Sequence, residues 1–410
     1  MNDEPGGAGL QSSFIIHRSS FIISDLPMQT YGTTSLHDLF DDLVILRNLA
    51  PFDPRLAGLA EAWQAMGLAS PRIPRKHEPD YARASVWFVN RARALELPGA
   101  PVRELLFIGD TAMADGNAFR NLAQAGGWPG WCFIGAEKLS APASLVADGD
   151  NVSLANRWAL LADWLAAAQE AGARLDQHTA VVVDMDKTAI AARGRNAAVI
   201  DDARVQGLHR TAAGLLGDAF DLARVQAAHN ELKEPVYHPF TADNQDYLAY
   251  ICLAVSAGLI DLASLVGQIQ AGQMRSFEQF IAWADGEIQR APAGLQQIHR
   301  AVYPLVRAGD PTPFKAFRRQ EYLCTVERFG HLPADAPIEQ LLAEQVCITQ
   351  EVREMALWLK RRGCLLLTMS DKPDEATLPT PEQAAQGYLP LHRTSTGAVG
   401  ESIAERLAEL

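Results

Sequence analysis

Cysteine is scarce and unpatterned in this chain. The five residues, Cys132, Cys252, Cys324, Cys347 and Cys364, are odd in number and show no CxxC spacing. That excludes a disulfide scaffold and a cysteine zinc site, and it suits free thiols in a reducing cytoplasm. Positive charge is short as well: the formal net charge of −13 argues against a nucleic-acid backbone as the main partner. No apolar run reaches the length of a membrane span. An anionic small molecule would therefore need a local cationic pocket or a bound metal ion. What is present, 48% apolar and 21% charged residues over 410 positions, fits a globular chain of two or three domains.

The first 27 residues stand apart. Ser12 to Ile23 read SSFIIHRSSFII, a tandem copy of a seven-residue unit, and Met28 follows soon after. A signal peptide needs a basic start and an unbroken apolar stretch, and neither is there. Residues 1–27 are expected to be a disordered or artefactual extension.

Beyond it, the spacing from Ser35 to Leu68 predicts helix, and RIPRKHEPDY (72–81) predicts a Pro-broken charged loop. Val86, Val89, Ala92 and Leu95 recur at helical spacing. Leu105 to Ile108 form a short apolar run ending in an acidic turn, and a helix from about Asn117 closes at Gly126 and Gly127. WCFIG (131–135) predicts another strand, followed by a polar linker to about Ser153. Leu154, Trp158, Leu161 and Leu165 mark one helix face. Residues 191–360 are helical by period throughout, Leu365 to Leu367 form a further buried strand, and one more is expected near Tyr388 to Leu391. Strands alternating with helices predict an α/β fold with a doubly wound parallel sheet.

The stretch VVVDMDKTAI (181–190) carries the chemistry. A buried strand runs into Asp184 and Asp186, which point the same way because strand side chains alternate. Two carboxylates held that close raise each other's pKa unless a cation lies between them. Capping of a following helix explains one carboxylate, not two plus a second acidic turn.

DMDKT resembles the first motif, DxDxT, of the haloacid dehalogenase-like phosphohydrolase superfamily. LLLTMSDKP is similar to its second motif, a strand ending in Ser or Thr, and LLFIGDTAMAD to its fourth, an acidic pair after a strand. The likeness covers roughly 100–190 and 360–395. It implies a sheet with strand order 5-4-1-2-3 and a helical cap, here 191–360, inserted after the first motif. It also implies that Asp184 is the nucleophile, forming an aspartyl-phosphate, and that Asp186 is the acid and base. Ser370 would hold a phosphoryl oxygen, with Thr188 beside the site. One Mg²⁺ would be held by Asp184, the main-chain carbonyl of Asp186 and Asp110, with Asp115 helping through a water. Two lysines compete to steady the phosphate: Lys76, favoured by its position before the strand that ends in Asp110, and Lys372. Lys187 is expected to face away. Arg193, Arg195, Lys315, Arg318 and Arg319 are candidate substrate contacts, against the plainer reading of solvated or capping residues. His209, His238 and His392 are read as ordinary polar residues.

Motif order is unusual: third and fourth precede first and second. The implied reading is a circular permutation with strands supplied as 4, 5, 1, 2, 3; its rival makes residues 28–150 a separate degenerate domain. The expected activity is Mg²⁺-dependent hydrolysis of a small phosphorylated metabolite, with neither nucleic acid nor membrane as partner. The alternatives are a phosphotransferase such as a mutase, or a non-catalytic binding protein of the same fold. A dehalogenase does not call for a second acid at Asp186.

Overall fold

The computed structural model describes residues 28–217 and 220–410, so the expected extension over 1–27 lies outside it. Short apolar runs covered on both faces pair in parallel, because helices must then shield each side. The strands are β1 (Gln29–Thr34), β2 (Val44–Ile45), β3 (Glu104–Gly109), β4 (Gly130–Gly135), β5 (Leu145–Ala147), β6 (Val152–Ala155), β7 (Thr179–Val183), β8 (Ile348–Thr349), β9 (Leu365–Met369) and β10 (Thr396–Gly400). Seven form the main sheet in the order β2-β9-β7-β3-β4-β6-β5. Every neighbouring pair in it is parallel except β5 with β6.

Alternation sorts the side chains of β7 into two cores. Val181 and Val183 join helices Leu161–Glu170 and Gln350–Arg361 on one face. Ala180 and Val182 join helix Pro79–Glu96 on the other. The result is an α/β protein with helices on both sides of a mostly parallel sheet. Between Ala197 and Glu344 every regular element described is helical. These helices enclose a separate apolar core that includes Leu208, Tyr250, Phe277, Phe280 and Phe317.

Three expectations need correcting. Residues 35–68 are not one helix: Leu36–Phe40, opened by a Ser35–Asp38 capping box, is followed by β2 and then by Leu59–Ala62. Pro51 and Pro54 cannot donate within a continuous helix, and they break it. The polar stretch before Ser153 holds β5, and Leu154 lies in β6 rather than on a helix. No strand forms at 388–391; Pro390 leads into a single tight turn at Leu391–Arg393. The C-terminal strand is β10, which pairs with β1 and β8 in a second, three-stranded sheet. The edge beside β9 is β2, from the opposite end of the chain.

Candidate functional site

Parallel strands leave their carboxyl ends along one edge, and there the loops gather. β3 and β7 are adjacent, with Ile108 level with Val183, so Asp110 and Asp184 emerge side by side. The Asp184 amide donates to the Ile108 carbonyl at 2.8 Å. β9, on the other flank of β7, delivers Ser370.

Asp115 folds back over the end of β3. Its Oδ2 accepts from the amides of Asp110 and Thr111, each at 3.0 Å, and from the Thr111 hydroxyl at 3.2 Å. This return needs Gly109, since a Cβ there would lie 2.4 Å from the Asp115 Cβ. One oxygen from each of Asp110, Asp115 and Asp184 lies within 4.8 Å of the others, and all three residues are buried.

Lys76 closes the cluster. Its Nζ lies 2.6 Å from Asp115 Oδ1 and 2.8 Å from Asp184 Oδ1, fully buried between them. Burial alone would lower its pKa, but Asp115 and Asp184 hold it charged, well above the ordinary value. Burial is the main influence on Asp184, pushing it well up; Lys76 opposes, while Asp115 and Asp110 add to the rise. Asp110 is raised to about 6, by burial and then by Asp115, despite a contact from Arg193 Nε. Burial would raise Asp115 too, but Lys76 and its other donors hold it down at about 2.

Lys372 serves the second carboxylate. Its Nζ reaches Asp186 Oδ2 at 3.0 Å and, across the boundary with the helical insert, Glu321 Oε1 at 3.3 Å. The other Asp186 oxygen is buried and has no hydrogen-bond partner. Ser370 Oγ accepts from the Lys372 amide at 3.1 Å, leaving its own proton free to be donated. Of the two competing lysines, Lys76 therefore sits on the Asp184 side and Lys372 on the Asp186 side.

These groups line a cleft of about 650 Å³ between the sheet edge and the helical insert. Arg193 and Arg318 reach it; Arg195, Lys315, Arg319 and Thr188 do not line it. The Arg195 side chain is buried in ion pairs with Glu137 and Glu351. Lys315 pairs with Asp310 and Glu375, and Arg319 donates to the Leu378 carbonyl. Thr188 is fully buried, its carbonyl accepting from Thr349. Lys187, expected to face away, lines the cleft with a left-handed backbone (φ 63°) while pairing with Asp201.

Sequence reading missed Glu321 altogether. It lies fully buried in helix Lys315–Val326 and accepts from Arg204, Arg318 and Lys372. Burial would raise its pKa, yet those three cations hold it far below the usual carboxylate range. The i,i+3 spacing to Arg318 was the one local signal; its link to Lys372 spans 51 positions. Arg47 and Arg75 also line the cleft and were not singled out.

Three buried carboxylates with no Cys or His suit a hard, oxygen-preferring divalent cation. The cations present do not saturate them: Asp110 stays protonated up to about 6 even with Arg193 against it. The donor set could hold such a cation. No helix among the described residues is long and apolar enough to cross a membrane. No protein-family model, no curated protein and no solved structure matches the chain.

Proposed function

We propose that the chain is a Mg²⁺-dependent phosphohydrolase of the haloacid dehalogenase-like kind, acting on a small phosphorylated metabolite through an aspartyl-phosphate. The observation that carries this is the convergence of Asp184 and Asp186 at the end of β7 with Asp110 and Asp115 at the end of neighbouring β3. The order β4-β3-β7-β9-β2 across the sheet supports it, corresponding to that superfamily's 5-4-1-2-3. Along the chain those strands come as 3, 4, 5, 1, 2, which is a permutation with its break one strand earlier than motif order alone implied.

In this reading Lys76 fixes one Asp184 oxygen and leaves the other to attack phosphorus. As the new O–P bond forms, the bond to the leaving oxygen breaks, and Asp186 supplies the proton that oxygen needs. Asp186 lines the cleft, with Lys372 Nζ 3.0 Å from its Oδ2, which supports the role. Asp186 then takes a proton from the water that attacks the aspartyl-phosphate, freeing phosphate and restoring Asp184. The Ser370 hydroxyl and Lys76 steady the phosphoryl oxygens. Asp110, Asp184 and the Asp186 carbonyl would hold Mg²⁺, helped by Asp115, and the ion would offset negative charge on the phosphoryl group.

The test is phosphate release from a panel of phosphorylated metabolites with Mg²⁺, with EDTA, and with Asp184→Asn. Turnover should vanish with EDTA and return with Mg²⁺. The variant should lose several orders of magnitude (roughly 10³-fold or more) while keeping its fold. Undiminished turnover after metal stripping, or a tenth of it surviving in the variant, would remove the assignment.

A further inference from the structure

The cleft holds more cationic groups than phosphoryl transfer uses. Some are neutralised in place: Arg318 by Asp246 and Glu321, Arg204 by Glu321 and Asp201, and Lys187 by Asp201. Arg193 uses one nitrogen on Asp110, and Arg47 pairs with Asp371 at 2.7 Å. Arg75 is different. It lines the same cleft one residue before Lys76, is half-buried, and makes no ion pair or side-chain hydrogen bond among the described residues. Acids are in excess in this chain by 13, so a partner was not wanting for lack of carboxylates. A half-buried guanidinium without a counter-ion carries a desolvation cost that an anionic ligand would offset.

Size points the same way. About 650 Å³ is the volume of a metabolite-sized pocket, far beyond a phosphoryl group and its ion. The insert closes the other side with Asn244, Gln245 and Thr312. Ala242 and Asp243, which also line it, both hold left-handed backbone (φ 53° and 49°). Ala242 is the left-handed C-cap that ends helix His238–Thr241.

We propose that the substrate carries a second anionic group, a carboxylate or a second phosphate, which Arg75 takes up in the same cleft while the first phosphoryl group faces Asp184. This rests on the phosphohydrolase reading for its chemistry, but Arg75 and the cleft can be tested by binding alone.

The turnover arm compares 3-phosphoglycerate with glycerol 3-phosphate, and fructose 1,6-bisphosphate with fructose 6-phosphate. These pairs separate a carboxylate from a second phosphate. The wild-type protein should favour the doubly anionic member of at least one pair by about 10- to 100-fold in kcat/KM, as expected for a charge-assisted contact. Arg75→Gln should bring that ratio toward one, and Arg75→Lys should restore part of it. The binding arm repeats both pairs by calorimetry on Asp184→Asn, where no turnover is needed.

Preference for the doubly anionic ligand in binding, lost in Arg75→Gln combined with Asp184→Asn, upholds the inference even if no ester is hydrolysed. In that case only the hydrolase reading fails. Equal use of both members of each pair, or a preference that Arg75→Gln leaves intact, overturns the inference and leaves the hydrolase reading standing. Neither binding nor turnover of any compound overturns both.

Discussion

At the scale of single residues the site is a problem in charge. Lys76 is buried between Asp115 and Asp184, so Lys76→Met strands the ionised Asp115 without its cation. Breaking a buried pair from one side costs about 3–5 kcal/mol, and urea unfolding in EDTA should show a loss of that order. A loss below about 1 kcal/mol would mean that Lys76 is not the internal counter-ion. The pH dependence follows from the other carboxylates. Asp115 is held down to about 2, so its contribution is complete above the ordinary value of 3.8 and is lost as pH falls toward 2. Asp110 runs the other way: raised to about 6, it keeps its proton in the folded state while the unfolded chain gives it up. The metal-free protein should therefore lose stability as pH rises from about 4 to 6, by roughly 3 kcal/mol from this group. Mg²⁺ should restore that loss at pH 7 and do little at pH 4. Thermal melts at the two values, with and without Mg²⁺, check it; equal shifts at both would separate Asp110 from the ion.

At the scale of elements, the end of β3 sets the geometry. Gly109→Ala would place a Cβ 2.4 Å from the Asp115 Cβ, driving the turn off its path. Overpacking of this kind costs about 1–3 kcal/mol, and Mg²⁺ affinity, read by calorimetry, should fall with it. Unchanged affinity would show that Asp115 does not depend on the close return. The same scale explains what could be read in advance. β3, β4, β7 and β9 are continuous apolar runs because helices cover both faces, and such runs stand out by composition. β2 pairs through only Val44 and Ile45, too short to show any period, so the sheet's edge went to the wrong end of the chain. Asp110 and Asp184 were legible because each follows its strand directly, and Asp186 and Asp115 because each lies within a few residues of one of them. Lys76 could be singled out by its place in the loop before helix Pro79–Glu96, which leads to β3. Glu321 and Arg75 could not: what makes them part of the cleft is the packing of a helical insert against a sheet, which leaves no local spacing behind.

At the scale of the whole molecule, one site draws on both parts of the chain. Lys76, Asp110 and Asp115 precede β7, while Ser370 and Lys372 lie far beyond it, past the entire helical insert. Lys372 also ties that insert to the sheet through Glu321. β7 is flanked by β3 on one side and β9 on the other, so a fragment of residues 151–410 would lose β3 and β4 together. The unpaired groups of β7 would then form an exposed edge, and Ala180 and Val182 would lose helix Pro79–Glu96 as their cover. A central apolar strand turned into an edge is a site for association, not a stable surface. The fragment should therefore be poorly soluble, bind no Mg²⁺ and release no phosphate. Co-expression with residues 28–150 should recover both properties if the two parts rebuild one sheet. The alternative, in which 28–150 is a separate bystander domain, predicts an active 151–410 fragment. Light scattering, Mg²⁺ calorimetry and phosphate release on the fragment and on the co-expressed pair distinguish the two. Activity from 151–410 alone would reject the single-site reading, because the fragment retains Asp184 and Asp186 but neither Asp110, Asp115 nor Lys76.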